Sequence, residues 1–147
     1  GPAARKLVEA REKAFWTAKA AGADSIIDTV VPRASIPDFV AQAGKIATEH
    51  GSYIIGCGHA GDGNVHFAMF QKDPEARYQT LKALFAASMA LGGMISGEHG
   101  IGQEKKKYFL ELEDPAKIAL LRRIKLAFDP NGILNPDILL VSPEGDE

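Results

Sequence analysis

Apolar positions along the chain fall into two rhythms, one of period near 3.6 and one of period 2, and together they predict alternating helices and short strands. Residues 3–21 are rich in Ala, Lys, Arg and Glu and run into Gly22, which predicts one helix. Ile26, Ile27, Thr29, Val30 and Val31 give residues 25–31 the β-branched character of a strand, closed by Pro32. Ser35 with Asp38 reads as a capping box, and Phe39, Ala43, Ile46 and Ala47 make the apolar stripe of a second helix. His50 reads as the cap residue at its end, before Gly51. Residues 53–57 and 64–70 read as two more strands.

Asp73-Pro74 is a cap and first-turn pair for a helix with Tyr78, Leu81, Phe85 and Met89 on its apolar face, stopped by Gly92-Gly93. A glycine-rich loop over 98–102 leads into a short Lys-rich helix near 103–110. Asp114-Pro115 opens a last helix, with Ile118, Leu121, Ile124 and Phe128 expected inward. Pro and Gly recur at short intervals from Asp129, which predicts an extended tail that frays after Val141. The order helix, strand, helix, strand, strand and three helices predicts an α+β fold with helices covering one face of a thin sheet. Three strands leave an open edge, so further sequence or a second copy of the chain is expected to complete the sheet, and a homodimer is the favoured arrangement.

Composition narrows the classes. The chain has 147 residues, 46% of them hydrophobic, enough for one compact core. Its 17 basic and 19 acidic residues are well mixed, with a net charge of −2, so no basic stripe points to nucleic acid. No apolar stretch approaches the ~20 residues of a membrane-spanning helix. The single cysteine, Cys57, has no partner for an internal disulfide and reads as a buried small hydrophobe, consistent with a cytoplasmic location. No signal peptide is expected, and Gly1-Pro2 reads as a remnant of cloning or proteolysis. Lys105, Lys106 and Lys107 read as a solvated face.

Two glycine-rich segments carry the candidate chemistry. In the first, residues 56–66, Asp62-Gly63 stands between two strand-like runs and signals a hairpin turn. With the turn centred there, His59 is expected directly opposite His66, with Cβ atoms ~4.5–5.5 Å apart, close enough to share one metal ion. No Lys or Ser/Thr follows in the spacing of a phosphate-binding loop. In the second, residues 96–102, Glu98 adds a hard oxygen and His99 stands beside it. Two histidines, one carboxylate and a position open to substrate form a recurrent catalytic metal set, suited to zinc and compatible with manganese or iron. The bland alternatives are polar residues flanking a turn and an acid at a helix start; finding three of the four histidines in two such segments weakens both.

At these residues the chain resembles the C-terminal domain of FAD-linked oxidases, the group containing glycolate oxidase, D-lactate dehydrogenase and D-2-hydroxyglutarate dehydrogenase. The matching segments are GHAGDGNVH (58–66), GGMISGEHGIGQEK (92–105) and AFDPNGILNP (127–136), with weaker matches at AREKAF (10–15) and DTVVPRASIPDF (28–39). The resemblance implies that His59, His66 and Glu98 bind a divalent metal and that His99 is the base acting on a substrate hydroxyl. It further implies that Arg11 contacts the substrate carboxylate and that Asn64, counted with the substrate-binding residues, supports the loop. It also implies FAD as cofactor, bound mainly by a domain lying before this region, and a partial ferredoxin-like antiparallel sheet. The second half of that cap sheet is expected over about 3–72 and a C-terminal helical part over about 73–147, with the FAD-binding domain absent.

Ile26 stands where the D-2-hydroxyglutarate enzymes carry a lysine, and Ala68 where they carry an asparagine; both changes favour a smaller or more apolar hydroxy acid of the D-lactate or glycolate type. The chain therefore reads as the substrate- and metal-binding part of an FAD-dependent 2-hydroxy acid dehydrogenase or oxidase. Alternatives are a metal-binding module or subunit that docks on a separate flavoprotein, and a structural fragment unable to fold alone. On the first reading these 147 residues by themselves bind metal but do not turn over a hydroxy acid with a dye acceptor; robust turnover by the purified chain without a flavin partner would refute it.

Overall fold

The computed structural model describes residues 1–140, and for Arg11, Glu12, Ala14 and Phe15 the backbone alone. The elements are α1 (Pro2–Glu12), α2 (Ala14–Ala20), β1 (Ser25–Val30), α3 (Ile36–Glu49), β2 (Tyr53–His59), β3 (Asn64–Phe70), α4 (Pro74–Ala90), α5 (Lys106–Leu112) and α6 (Pro115–Phe128). The expected single N-terminal helix is two. The Lys13 amide bonds Ala10 three residues back, which tightens the chain at the joint.

The fold is α+β, with one antiparallel sheet in the order β1-β3-β2. Alternation along the strands gives the sheet two different faces. Ile27, Val65, Phe67 and Met69 point to one side and pack with Phe39 and Ala43 of α3 and Leu84 and Phe85 of α4. The Phe39 and Phe67 rings lie 5.9 Å apart and tilted, a favourable aromatic contact. Asp28, Asn64 and His66 occupy the intervening positions and face the other side.

Helix starts follow the sequence where a side chain can reach a free amide. Asp73 accepts from the Ala76 amide at 2.7 Å, and Asp114 from that of Ala116 at 2.8 Å. Ser35 does not cap α3. It closes a 3-10 turn over Arg33–Ser35, its backbone is already helical, and its side chain makes no cap hydrogen bond.

Burial corrects three expectations. On α6 only Ile118 is buried; Ile124 and Phe128 are exposed, Phe128 by 82%. Cys57 lies exposed on β2, the strand at one edge of the sheet. Lys105 is buried instead of solvated. The segment after α6 is coiled, not extended: the Asp129 carboxylate accepts from the Ile133 and Leu134 amides and draws the chain back. The expected fraying after Val141 lies outside the described residues. Among the described residues no helix is long and apolar enough to cross a membrane.

Phe39 is fully buried between helix and sheet. Replacing it with alanine is expected to cost about 3–5 kcal/mol, as large-to-small core changes of an aromatic ring do. Denaturant unfolding of Phe39→Ala beside the parent checks this, and a loss under about 1 kcal/mol would show that the α3–sheet contact is not the core.

Candidate metal and substrate site

The hairpin between β2 and β3 positions the first two candidate residues. Its register differs from the expected one: His59 pairs with Asn64, and Cys57 stands opposite His66. The loop is four residues, 60–63, closed by bonds from the Asp62 amide to His59 and from the Gly63 amide to Ala60. Gly63 takes a φ of +81°, and a Cβ there would sit 2.1 Å from the Val31 carbonyl oxygen, so the turn requires glycine. His59 and His66 are thus diagonal neighbours on one face, with ring centroids 5.4 Å apart at right angles.

The second loop arrives from the helical side. After α4 the chain pairs Met94 with Val30 through two backbone hydrogen bonds at the free edge of β1. That crossing carries Ser96, Gly97, Glu98 and His99 to the sheet face opposite the helices, where Asp28 and His66 lie. Three imidazole nitrogens surround one oxygen. Glu98 Oε1 is 3.2 Å from His66 Nε2, 3.5 Å from His59 Nε2 and 3.7 Å from His99 Nε2. The His66 and His99 rings are 5.2 Å apart. Side-chain exposure rises outward, from 14% at His66 to 39% at His59, 47% at His99 and 50% at Glu98, so the cluster opens to solvent on one side.

Beneath the cluster lies Asp28, which nothing in the linear pattern had marked as a site residue. Its side chain is fully buried. Its carboxylate accepts hydrogen bonds from the amides of Gly97 at 3.1 Å, Glu98 at 3.1 Å and His99 at 2.9 Å. The Ser96 hydroxyl at 3.1 Å, the Asn64 amide at 3.2 Å and the Lys105 ammonium at 3.3 Å complete the set. Lys105 also donates to the Asp28 carbonyl at 2.9 Å. Burial pushes the Asp28 carboxyl up, but the His99 and Glu98 amides, the Lys105 charge and the Ser96 hydroxyl together hold it well below the usual carboxylate range. Burial lowers the Lys105 ammonium against the opposing pull of Asp28. The pattern that could have revealed Asp28 is an acid at a core-like position of a β-branched strand, where an unpaired charge is rarely tolerated.

Burial, with the neighbouring His99 and His59, also lowers the His66 pKa against the opposing pull of Asp28 and Glu98. Its ring is therefore neutral near pH 7, with a lone pair available to a ligand. Asn64 is 6% exposed, and its Oδ1 has no hydrogen-bond partner among the described residues, which leaves a buried acceptor open to a donor. The side chain of Arg11 lies outside the described residues.

Two donor groups could hold a metal ion, His59 with His66 and Glu98, or Asp28 with His66 and His99, each with ligand atoms within 4.8 Å of one another. The second fits poorly, because ligation would strip Asp28 of hydrogen bonds that its burial demands. The first fits. Tetrahedral ligands at ~2.0–2.1 Å from an ion stand roughly 3.3 Å apart, close to the observed spacings around Glu98. A cleft of about 430 Å³ between α3 and β2 has Ile36, Val40, Ile54 and Phe67 among its lining, and none of the three histidines or Glu98 lines it. Asn64 also borders this cleft, but the candidate metal ligands do not, so the cleft is not the metal site.

Residues 2–138 match the family model for FAD linked oxidases, C-terminal domain. The chain is 62% identical, over 95% of its length, to an uncharacterized FAD-linked oxidoreductase of Mycobacterium tuberculosis, of which it covers 30%. It is 42% identical over 76% of its length to a D-lactate dehydrogenase of Archaeoglobus fulgidus, covering 25% of that protein. Glycolate oxidase subunit GlcD of Bacillus subtilis is 36% identical over 88% of the chain, which covers 29% of it. The chain thus spans less than a third of the length of these relatives, and across nearly all of its own length it belongs to the family of FAD-linked oxidase C-terminal domains.

Proposed function

We propose that the chain is the substrate- and metal-holding part of an FAD-dependent enzyme that oxidises a small 2-hydroxy acid, of the D-lactate or glycolate type, to the 2-oxo acid. The observation that carries the reading is the ring of three imidazole nitrogens 3.2–3.7 Å from one Glu98 oxygen, partly open to solvent. His59, His66 and Glu98 would hold the ion. A divalent metal bound there would supply Lewis acidity toward the substrate hydroxyl, and FAD, held by another part of the protein, would accept the hydride.

His99 would take the hydroxyl proton at Nε2, the atom it turns toward the cluster. Asn64 Oδ1 offers an acceptor at the edge of the same cluster. Arg11 would hold the substrate carboxylate by a charge-assisted fork. The face next to the site supports a short substrate. Ile26 and Ile55 flank Ala68 in the sheet register, so these three positions offer no cation to a second carboxylate.

Isothermal titration of the metal-free protein with Zn²⁺ tests the ligand set. One ion per chain is expected, with affinity falling at least tenfold in His59→Ala, His66→Ala and Glu98→Gln; undiminished binding in all three would overturn the assignment. In the whole flavoenzyme, His99→Ala is expected to keep the metal and lose turnover by roughly 10²–10⁴-fold, the usual contribution of a general base. Loss of the metal along with activity would make His99 a ligand instead.

A further inference from the structure

The Asp28 carboxylate accepts hydrogen bonds from the 96–99 loop, from Asn64 and from Lys105, and that loop carries two groups of the cluster. Three consecutive amides, 97 to 99, converge on its two oxygens, so the carboxylate sets the path of the backbone from which both Glu98 and His99 project. A run of backbone amides closing on an anion is a common way to bind a free anion, and here the anion is a side chain of the same protein. The convergence depends on Gly97. A Cβ there would stand 2.4 Å from Asn64 Nδ2 and 2.6 Å from Asp28 Oδ1, too close for any other residue.

On its other side Asp28 is the cross-strand partner of His66, with Oδ1 3.9 Å from His66 Nδ1. That is too long for a direct hydrogen bond. It is close enough for the negative charge to favour a proton on Nδ1 and a lone pair on Nε2, the nitrogen that faces Glu98. Lys105, itself almost wholly buried, neutralises the carboxylate from the edge of β1. Without that cation the buried anion would keep its hydrogen-bond donors but lack a counter-charge.

The geometry points to Asp28, neutralised by Lys105, as the positioning residue of the metal site: it shapes the 96–99 loop and orients His66, so that Glu98 and the imidazoles meet at one point. The inference rests on the metal-site reading proposed above for the function of the cluster, but its structural content is separate and can be measured without metal.

The experiment uses the whole protein carrying these residues, with Asp28→Asn, Ser96→Ala, Lys105→Met and Lys105→Arg. Two readouts are taken: hydrogen exchange of the 97–99 amides and the ¹⁵N-detected tautomer of His66 in metal-free protein, and the Zn²⁺ dissociation constant by calorimetry. Asp28→Asn keeps the shape but loses the charge and half the acceptor capacity. It is expected to release exchange protection at all three amides, to shift the His66 tautomer, and to weaken Zn²⁺ binding on the order of 10–100-fold.

Lys105→Met should do the same and Lys105→Arg should recover most of the loss, a rescue that simple packing damage would not show. Ser96→Ala, which removes one half-buried hydroxyl that lies between Asp28 and the Gly100 carbonyl, should weaken Zn²⁺ a few-fold at unchanged melting temperature. If Asp28→Asn does not fold, the Lys105 pair and Ser96→Ala decide. Unchanged exchange, tautomer and Zn²⁺ affinity in the folded variants overturn the inference. A parent protein that binds no Zn²⁺ overturns the metal reading alone, and the metal-free readouts still decide for or against Asp28.

Discussion

The electrostatic constraint around Asp28 organises the rest of the site. A carboxylate removed from water is costly unless nearly every lone pair finds a donor. Here the donors are three successive amides, a hydroxyl, a side-chain amide and an ammonium, contributed by β3, the 96–99 loop and the residue just before α5. Satisfying one buried group therefore draws three separate segments to one place. Glu98 and His99 ride on one of those segments and His66 on another, with His59 on the neighbouring strand β2, so their mutual distances are inherited from the packing below them. This is why Glu98 and His99, although half-exposed, can stand in defined relation to the better buried His66.

The sheet divides the labour of the fold. Alternate residues of β1 and β3 face the helices and the cluster, so the apolar contacts that stabilise the domain and the polar contacts that shape the cluster share the same strands. Ile27, Phe67 and Met69 lock the strands against α3 and α4, and Asp28 and His66 are placed on the other side with no freedom to slide. A slip of one residue would exchange the two sets, burying the histidine against Phe39 and exposing the core. The core is in this sense the first support of the site. The bridge between Met94 and Val30 is the second, since it turns the chain around the sheet edge and delivers the loop to the correct face.

The domain also shows apolar surface that the described residues do not cover. Ile124 and Phe128 of α6, with Ile133 and Leu134 beyond it, remain exposed. The chain spans under a third of the relatives to which it is similar, and their remaining length is the context in which an FAD-linked enzyme would operate.

Element type, the order of elements and the residues of the cluster were legible in the sequence, because each depends on local chemistry: β-branched runs, Asp-Pro caps and histidines beside glycines. The hairpin is instructive. The expected pairing placed His59 opposite His66, whereas His59 pairs with Asn64, a slip of two residues. Two residues is one full period of the pleat, so both rings kept their face and the convergence survived the error in register. The burial of Lys105, the exposure of Cys57 and Phe128, and the role of Asp28 as an acceptor for a loop some 70 positions away were not legible. Each is decided by which distant segment comes to lie against a residue, and a linear pattern carries no record of that. The sequence alone determined which groups could do chemistry; only the tertiary structure decided how a buried charge would hold them together, because the energy of a buried ion depends on every donor around it and those donors meet only after folding.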